Sequence, residues 1–434
     1  MKRLVLSCLA VLIWCLVSAP PAEALVGDVQ GPFGLDGSIR AIGLYIRNYD
    51  FQPFFKGDDA DEFFQTVLRL TARGRPLSRL AYEVHLVQDV TYTSGASSAT
   101  AGVFGRQGGQ SRYRALDETW PWLDENETQG ALWLDRINIK INLPRVDLTI
   151  GRQAVTFGKA WFWNPLDVYL PFDPRQFDRD YKAGVDAVRL DVALGSFSGV
   201  NLLGVFGRKL DLAGKFVDGD KDLHASWYGS SVLARVFTNF KAWDLALQGG
   251  KIYGGYQLGG GAVGELLGVQ VRFETAYFWA DDSPKLPFPF QGDLYEDFFT
   301  AVIGLGRHFP SSLDLEFELL YNDGGESRDL NLALLRFQNH AILQLGRYLA
   351  GLTVSYELTP LIKGQLAVIH SLSDSSIQVQ PTLTWSLSDN ADLLLGAGFN
   401  FGRRPKTGLF GAVQIESEFG TYQDQYFAEV KFYF

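Results

Sequence analysis

The residues best placed to do chemistry lie between Gly151 and Asp191. Arg152, Lys159, Asp167, Asp173, Arg175, Asp178, Arg179, Asp180, Lys182, Arg189 and Asp191 bring charges of both signs close together. Trp161, Phe162, Trp163, Asn164, Pro165, Pro171, Phe172, Pro174 and Tyr181 are interleaved with them. Such a segment suits electrostatic selection at a constriction, with rigid aromatics and prolines against a wall and charges toward a passing molecule. A ring of one sign would select ions. Mixed signs predict either a transverse field or mutual pairing. Covalent and metal chemistry have little support. The five histidines, His85, His224, His308, His340 and His370, are scattered. His85 shares an alternating phase with Glu83 and Asp89, but no nucleophile elbow or metal-ligand spacing accompanies it. The sequence therefore reads as no enzyme, with no cofactor and no metal, and His85 as a polar lumenal residue.

The chain opens like an export substrate. Lys2 and Arg3 precede an apolar run over Leu4–Val17, and Ala22-Glu23-Ala24 offers a small-x-small cleavage site. We expect residues 1–24 to be a signal peptide. Its removal would take away Cys8, Cys15 and Met1, the only residues of their types. The remaining chain, 25–434, would hold no disulfide or thiolate, and 37 basic against 48 acidic residues. That acidic balance argues against nucleic acid as a partner.

These residues need a scaffold, and the polarity pattern indicates which. Beyond residue 24 no run of 18 apolar residues exists, so helical spans are excluded. Short alternating tracts occur instead. Leu313, Leu315, Phe317, Leu319 and Tyr321 alternate with Asp314, Glu316 and Glu318; Val269, Val271, Phe273, Thr275 and Tyr277 alternate with Gln270, Arg272 and Glu274. The last tract sets Tyr426, Ala428, Val430, Phe432 and Phe434 against Gln425, Glu429 and Lys431. One apolar and one polar face per strand is the signature of a sheet closed between lipid and a wet lumen. The expectation is a single all-β domain over 25–434, an antiparallel transmembrane β-barrel of about 18 strands. Dropping the glycine-rich tract 260–267 with a neighbour would leave 16.

The parity places tight turns at Gly74-Arg75-Pro76, Leu143-Pro144-Arg145, Gly195-Ser196, Asn239-Phe240, Thr359-Pro360 and Ser388-Asp389-Asn390 on one rim, the periplasmic one. The long connections 92–130, 157–183, 209–225, 282–293, 323–345 and 403–423 fall on the other. Four places resist this scheme. Asp135 falls in phase with Trp133 and Ile137, both expected outward. Arg152 shares the phase of Val146, Leu148 and Ile150, and a bulge near Gly151 would turn it inward. Pro381 should mark a bulge or a strained point. Gly259-Gly260-Gly261 reads as turn or bulge residues.

Gly151-Arg152-Gln153, Trp163-Asn164-Pro165-Leu166-Asp167 and Asp178-Arg179-Asp180-Tyr181-Lys182-Ala183-Gly184-Val185-Asp186 resemble outer-membrane porin-like barrels, including the alginate-export family. The likeness implies a monomeric barrel with a charged lumen in the bacterial outer membrane. An alginate exporter's lumen is strongly basic, whereas here acids are interspersed. We therefore expect a channel for small hydrophilic or anionic solutes, with polymer export through periplasmic partners as the alternative. The expected partners are outer-membrane lipid and lipopolysaccharide, the permeating solute and the barrel-assembly machinery. Tyr426, Val430, Phe432 and the terminal Phe434 would be the assembly signal. Replacing Arg152, Arg179 and Arg189 should shift ion selectivity if they line the constriction.

Overall fold

A computed structural model describes residues 25–28, 31–48, 60–94, 111–177, 179–212, 217, 224–327, 329–407 and 413–434. The expected signal peptide and Asp178 lie outside these residues.

Eighteen antiparallel strands close on themselves. They are β1 (Gly34–Arg47), β2 (Ala60–Leu77), β3 (Leu80–Thr93), β4 (Thr128–Asn142), β5 (Val146–Gln153), β6 (Val185–Ala193), β7 (Gly199–Val205), β8 (Ser231–Phe240) and β9 (Trp243–Ile252). Then follow β10 (Gly255–Leu266), β11 (Val269–Ala280), β12 (Phe298–His308), β13 (Asp314–Asn322), β14 (Tyr348–Thr359), β15 (Ile362–Ser371), β16 (Ser376–Ser388), β17 (Ala391–Phe401) and β18 (Asp424–Tyr433). Each pairs with its sequence neighbour, and β18 pairs with β1 from Ser38 opposite Tyr433 to Arg47 opposite Asp424. Closure pairs each of these eighteen strands on both sides, which hydrocarbon requires because it cannot solvate a free amide; the short strands Val26–Gly27 and Thr119–Asp124 add to the same sheet, each paired on one side. The glycine-rich tract is a full strand: β10 pairs with β11 from Gly255 to Leu266.

The alternation decides which face meets which solvent. Ile139, Ile150, Val236, Leu247, Leu258 and Ile303 are each about half exposed on the outer face. Arg40, Arg69, Gln248, Glu274, Glu318, Gln378 and Glu429 are buried on the inner one. Near the long-loop rim, Tyr45 meets Tyr426, and Tyr321 meets both Phe299 and Tyr348, as parts of an aromatic girdle. At the other rim, Lys241-Ala242 and Leu267-Gly268 form two-residue turns with positive φ at both positions, the geometry that matches strand twist. The β8–β9 turn is thus two residues beyond Asn239-Phe240, and the β2–β3 turn lies at 78–79 rather than at Gly74-Arg75-Pro76.

The four resistant places resolve differently. The β3–β4 ladder skips from Arg136 to Leu134, so Asp135 is bulged out of register and buried. Trp133, expected outward, is also buried, in a cluster with Val67 and Val87. At Arg152 there is no bulge: β5 pairs with β4 and β6 in continuous register. Pro381 causes no register shift, only missing pairs in the β16–β17 ladder. Gly259, Gly260 and Gly261 lie in mid-strand, not in a turn.

Candidate functional site

Between β5 and β6 the described chain, 154–177 and 179–184, leaves the wall and runs inside the barrel. Its contacts show this, because they reach strands all around the circumference. Tyr169 Oη meets Ser231 Oγ of β8 at 2.7 Å. Gln248 of β9 and Gln257 of β10 donate to the carbonyls of Leu166 and Pro165 at 2.8 and 3.0 Å. Glu274 of β11 accepts the backbone N–H groups of Lys159 and Ala160. Glu318 of β13 accepts those of Trp161, Phe162 and Trp163. Trp161 Nε1 donates to Thr353 of β14 at 3.1 Å, and Gln380 of β16 donates to the Arg175 carbonyl at 3.1 Å. Lys431 of β18 pairs with Asp180 at 2.5 Å, and Phe177 packs on Phe427. The Arg69 guanidinium of β2 lies over the Tyr181 ring at 4.1 Å.

The wall is shaped to receive this segment. A Cβ at Gly351 would lie 2.6 Å from the Phe162 ring, and one at Gly259 would lie 2.7 Å from Leu166 Cδ2. Those glycines are notches for inward-folded side chains. The mid-strand glycines that read as turns were therefore a signal of the site.

The charges mostly pair with each other. Asp167 and Lys182 meet at 2.5 Å, both nearly fully buried. Burial pushes the Asp167 carboxyl up and the Lys182 ammonium down, and their mutual attraction opposes both shifts. Arg175 clamps Asp173 through Nη2 at 2.5 Å and lies over the Tyr422 ring at 4.1 Å. Burial works against ionisation of Asp173, yet Arg175 holds its carboxyl below the usual range. Arg189 and Asp191 meet at 2.9 Å on the inner face of β6, each about a quarter exposed. Asn201 also donates to Asp191.

Arg152 is a different case. It stands opposite Ile137 and Asp186 in the ladders, in the phase of the exposed Ile150. Its guanidinium is nevertheless buried, held by Asp186 at 2.6 Å and by the carbonyls of Leu134 and Leu116. The stretch 112–118 covers it, so it does not face the passage with Arg189. His85 is likewise enclosed, 2.8 Å from Glu83 and 3.0 Å from Arg69.

Among the described residues, Lys159 and Arg179 are the members of the set in no ion pair. Lys159 is exposed, and Arg179 donates to the carbonyls of Gln176, Trp161 and Pro174. Arg179, Asn164, Asp167, Thr156 and the rings of Trp161, Phe162 and Phe172 line a half-open recess of about 190 Å³. Its chemistry is mixed, with flat apolar walls and several donors.

Two further loops close over this segment. The helix α1 (Leu330–Gln338) packs through Leu330 and Ala333 against Leu345 and Ile415. Glu418, fully buried, accepts from Gln344 Nε2 at 2.8 Å and from the N–H of Gly346 at 3.0 Å. Burial pushes its carboxyl up to about 7, with Asp374 adding to the shift and Arg175 opposing it.

No family model matches the chain, and no curated protein matches it. Solved structures do. OccAB2 of Acinetobacter baumannii aligns over 94% of this chain and 99% of its own, with a TM-score of 0.55 at 9% identity. A BenF-like porin of Pseudomonas fluorescens Pf-5 aligns over 93% and 99%, with a TM-score of 0.52 at 9% identity. OccK9 of Pseudomonas aeruginosa aligns over 92% and 98%, with a TM-score of 0.52 at 11% identity. The chain shares their barrel fold along nearly its whole length.

Proposed function

We propose that this barrel is an outer-membrane channel through which small hydrophilic or anionic solutes pass, and that segment 154–184 forms its constriction. One observation carries the reading: a segment fastened around the inner wall narrows an 18-stranded lumen that would otherwise be wide. Lys159 and Arg179 support a preference for anions, because most neighbouring charges are already paired. The porin fold supports placement in the outer membrane, with the long-loop rim outside, and it asks for no catalytic group. A constriction tied to the wall favours small solutes over a polymer, which speaks against an exporter of the alginate type. Outer-membrane lipid against the apolar face, and an assembly signal at Tyr426, Val430, Phe432 and Phe434, belong to the same proposal.

Planar-bilayer recordings of the refolded protein test it. We expect discrete conductance steps and a reversal potential displaced toward the anion. A folded barrel that gives neither conductance nor swelling of solute-loaded liposomes would defeat the reading.

A further inference from the structure

We propose that Glu274 and Glu318 are positioning residues that set the width of the passage, acting through Lys159 and Trp161. This rests on the channel reading above and names the parts that would control it.

Both carboxylates are essentially inaccessible, at 1% and 0% exposure. Among the described residues neither forms an ion pair, although Arg272 is nearby and pairs with Glu316. Buried carboxylates without a cation are unfavourable unless hydrogen bonds replace their water. Here five consecutive backbone N–H groups, residues 159 to 163, supply such bonds, two to Glu274 Oε1 and three to the two oxygens of Glu318. The strand between the two glutamates makes room for them. Gly304 of β12 stands opposite Glu318, and a Cβ there would lie 3.0 Å from Glu318 Cγ.

Holding a segment by its backbone leaves the Lys159 side chain free for the passage, while the Trp161 ring is exposed with its Nε1 on Thr353. Lys159 and Trp161 are exposed while Phe162 and Trp163 are buried against the wall. Anchoring and selection are therefore assigned to different atoms of the same five residues. Changing Lys159 should alter what passes without moving the segment. Changing the glutamates should move the segment while the identity of every exposed side chain is kept.

The test uses the full-length refolded barrel, with heat-modifiable gel mobility as the check that the barrel has formed. In Glu274→Ala/Glu318→Ala we expect a rise in single-channel conductance and loss of the size cut-off in liposome swelling. Lys159→Ala should keep the cut-off and shift the reversal potential toward cations. Trypsin cleavage after Lys159 gives a readout independent of conductance: resistant in the unaltered protein, cut in the double variant. If the double variant does not form a barrel, Gly351→Leu, which displaces Phe162 without touching either glutamate, should produce the same sensitivity to trypsin. An unaltered protein that conducts, alongside a double variant with the same conductance, cut-off and trypsin resistance, would overturn the inference. An unaltered protein that does not conduct would overturn the channel reading, and trypsin would still decide the anchoring.

Discussion

The two sides of the barrel bury charge in opposite ways. On the β2–β6 side, charge meets charge. Asp135 lies between Arg69 and Arg114, at 2.9 Å from each, and Arg152 meets Asp186 at 2.6 Å. These groups join the wall and the stretch 112–118 to one another. On the β11–β13 side Arg272 and Glu316 still pair, but Glu274 and Glu318 meet no cation and hold backbone N–H groups of the lumenal segment instead. The first arrangement stiffens the wall. The second fastens a piece of chain to it. Buried charge thus has two uses here, told apart only by what the acceptors face.

That contrast can be broken, and the largest effect should come from the paired side. Asp135→Ala strands two buried guanidinium groups and should cost about 3–5 kcal/mol in urea unfolding of the folded barrel. Arg152→Ala should cost about 3 kcal/mol, near the lower end of that range, because, of its two carboxylate partners, Asp186 keeps the Leu116 N–H and Glu118 is partly exposed. It should leave the reversal potential unchanged, since Arg152 is covered by 112–118; a selectivity shift would return it to the passage. On the anchored side, Gly351→Leu overpacks Phe162 and should cost about 1–3 kcal/mol. Its distinguishing effect should be a changed conductance, which a wall defect alone would not produce.

The lid offers a smaller, pH-dependent test. The Glu418 carboxyl, pushed up to about 7, favours its protonated form in the folded state. Its contribution to stability is therefore full below the ordinary carboxylate range and is lost as pH rises through about 7. Glu418→Gln should remove that part of the pH dependence of urea unfolding, and an unchanged profile would rule out Glu418 as its source. The smallest effect on stability belongs to Arg189→Ala. Its pair with Asp191 is about a quarter exposed, so the cost should stay within about 1 kcal/mol. The reversal potential should still move toward cations, in contrast to Arg152→Ala.

Much of the scaffold was legible because strand alternation is a local property. Each side chain's face follows from its parity, and the lipid side admits only apolar residues, so β11, β13 and β18 could be delineated one by one. The strand count followed from closure and from turn spacing. The failures occurred where one residue breaks the parity or where covering chain changes the surroundings. Asp135 reads as outward until the bulge opposite His85 and Leu86 is seen. Arg152 reads as a pore residue until 112–118 is laid over it.

By itself the sequence determined a closed amphipathic sheet, its approximate strand borders, and a charged, aromatic segment between β5 and β6 that had to lie somewhere polar. Only the tertiary structure decided that this segment crosses the lumen, that most of its charges are paired with one another or with the wall, and that Glu274, Glu318, Gly259 and Gly351 receive it. The physical reason is range. Parity and hydropathy act over a few residues. The contact between Trp161 and Glu318 spans 157 positions and exists only once the sheet has closed.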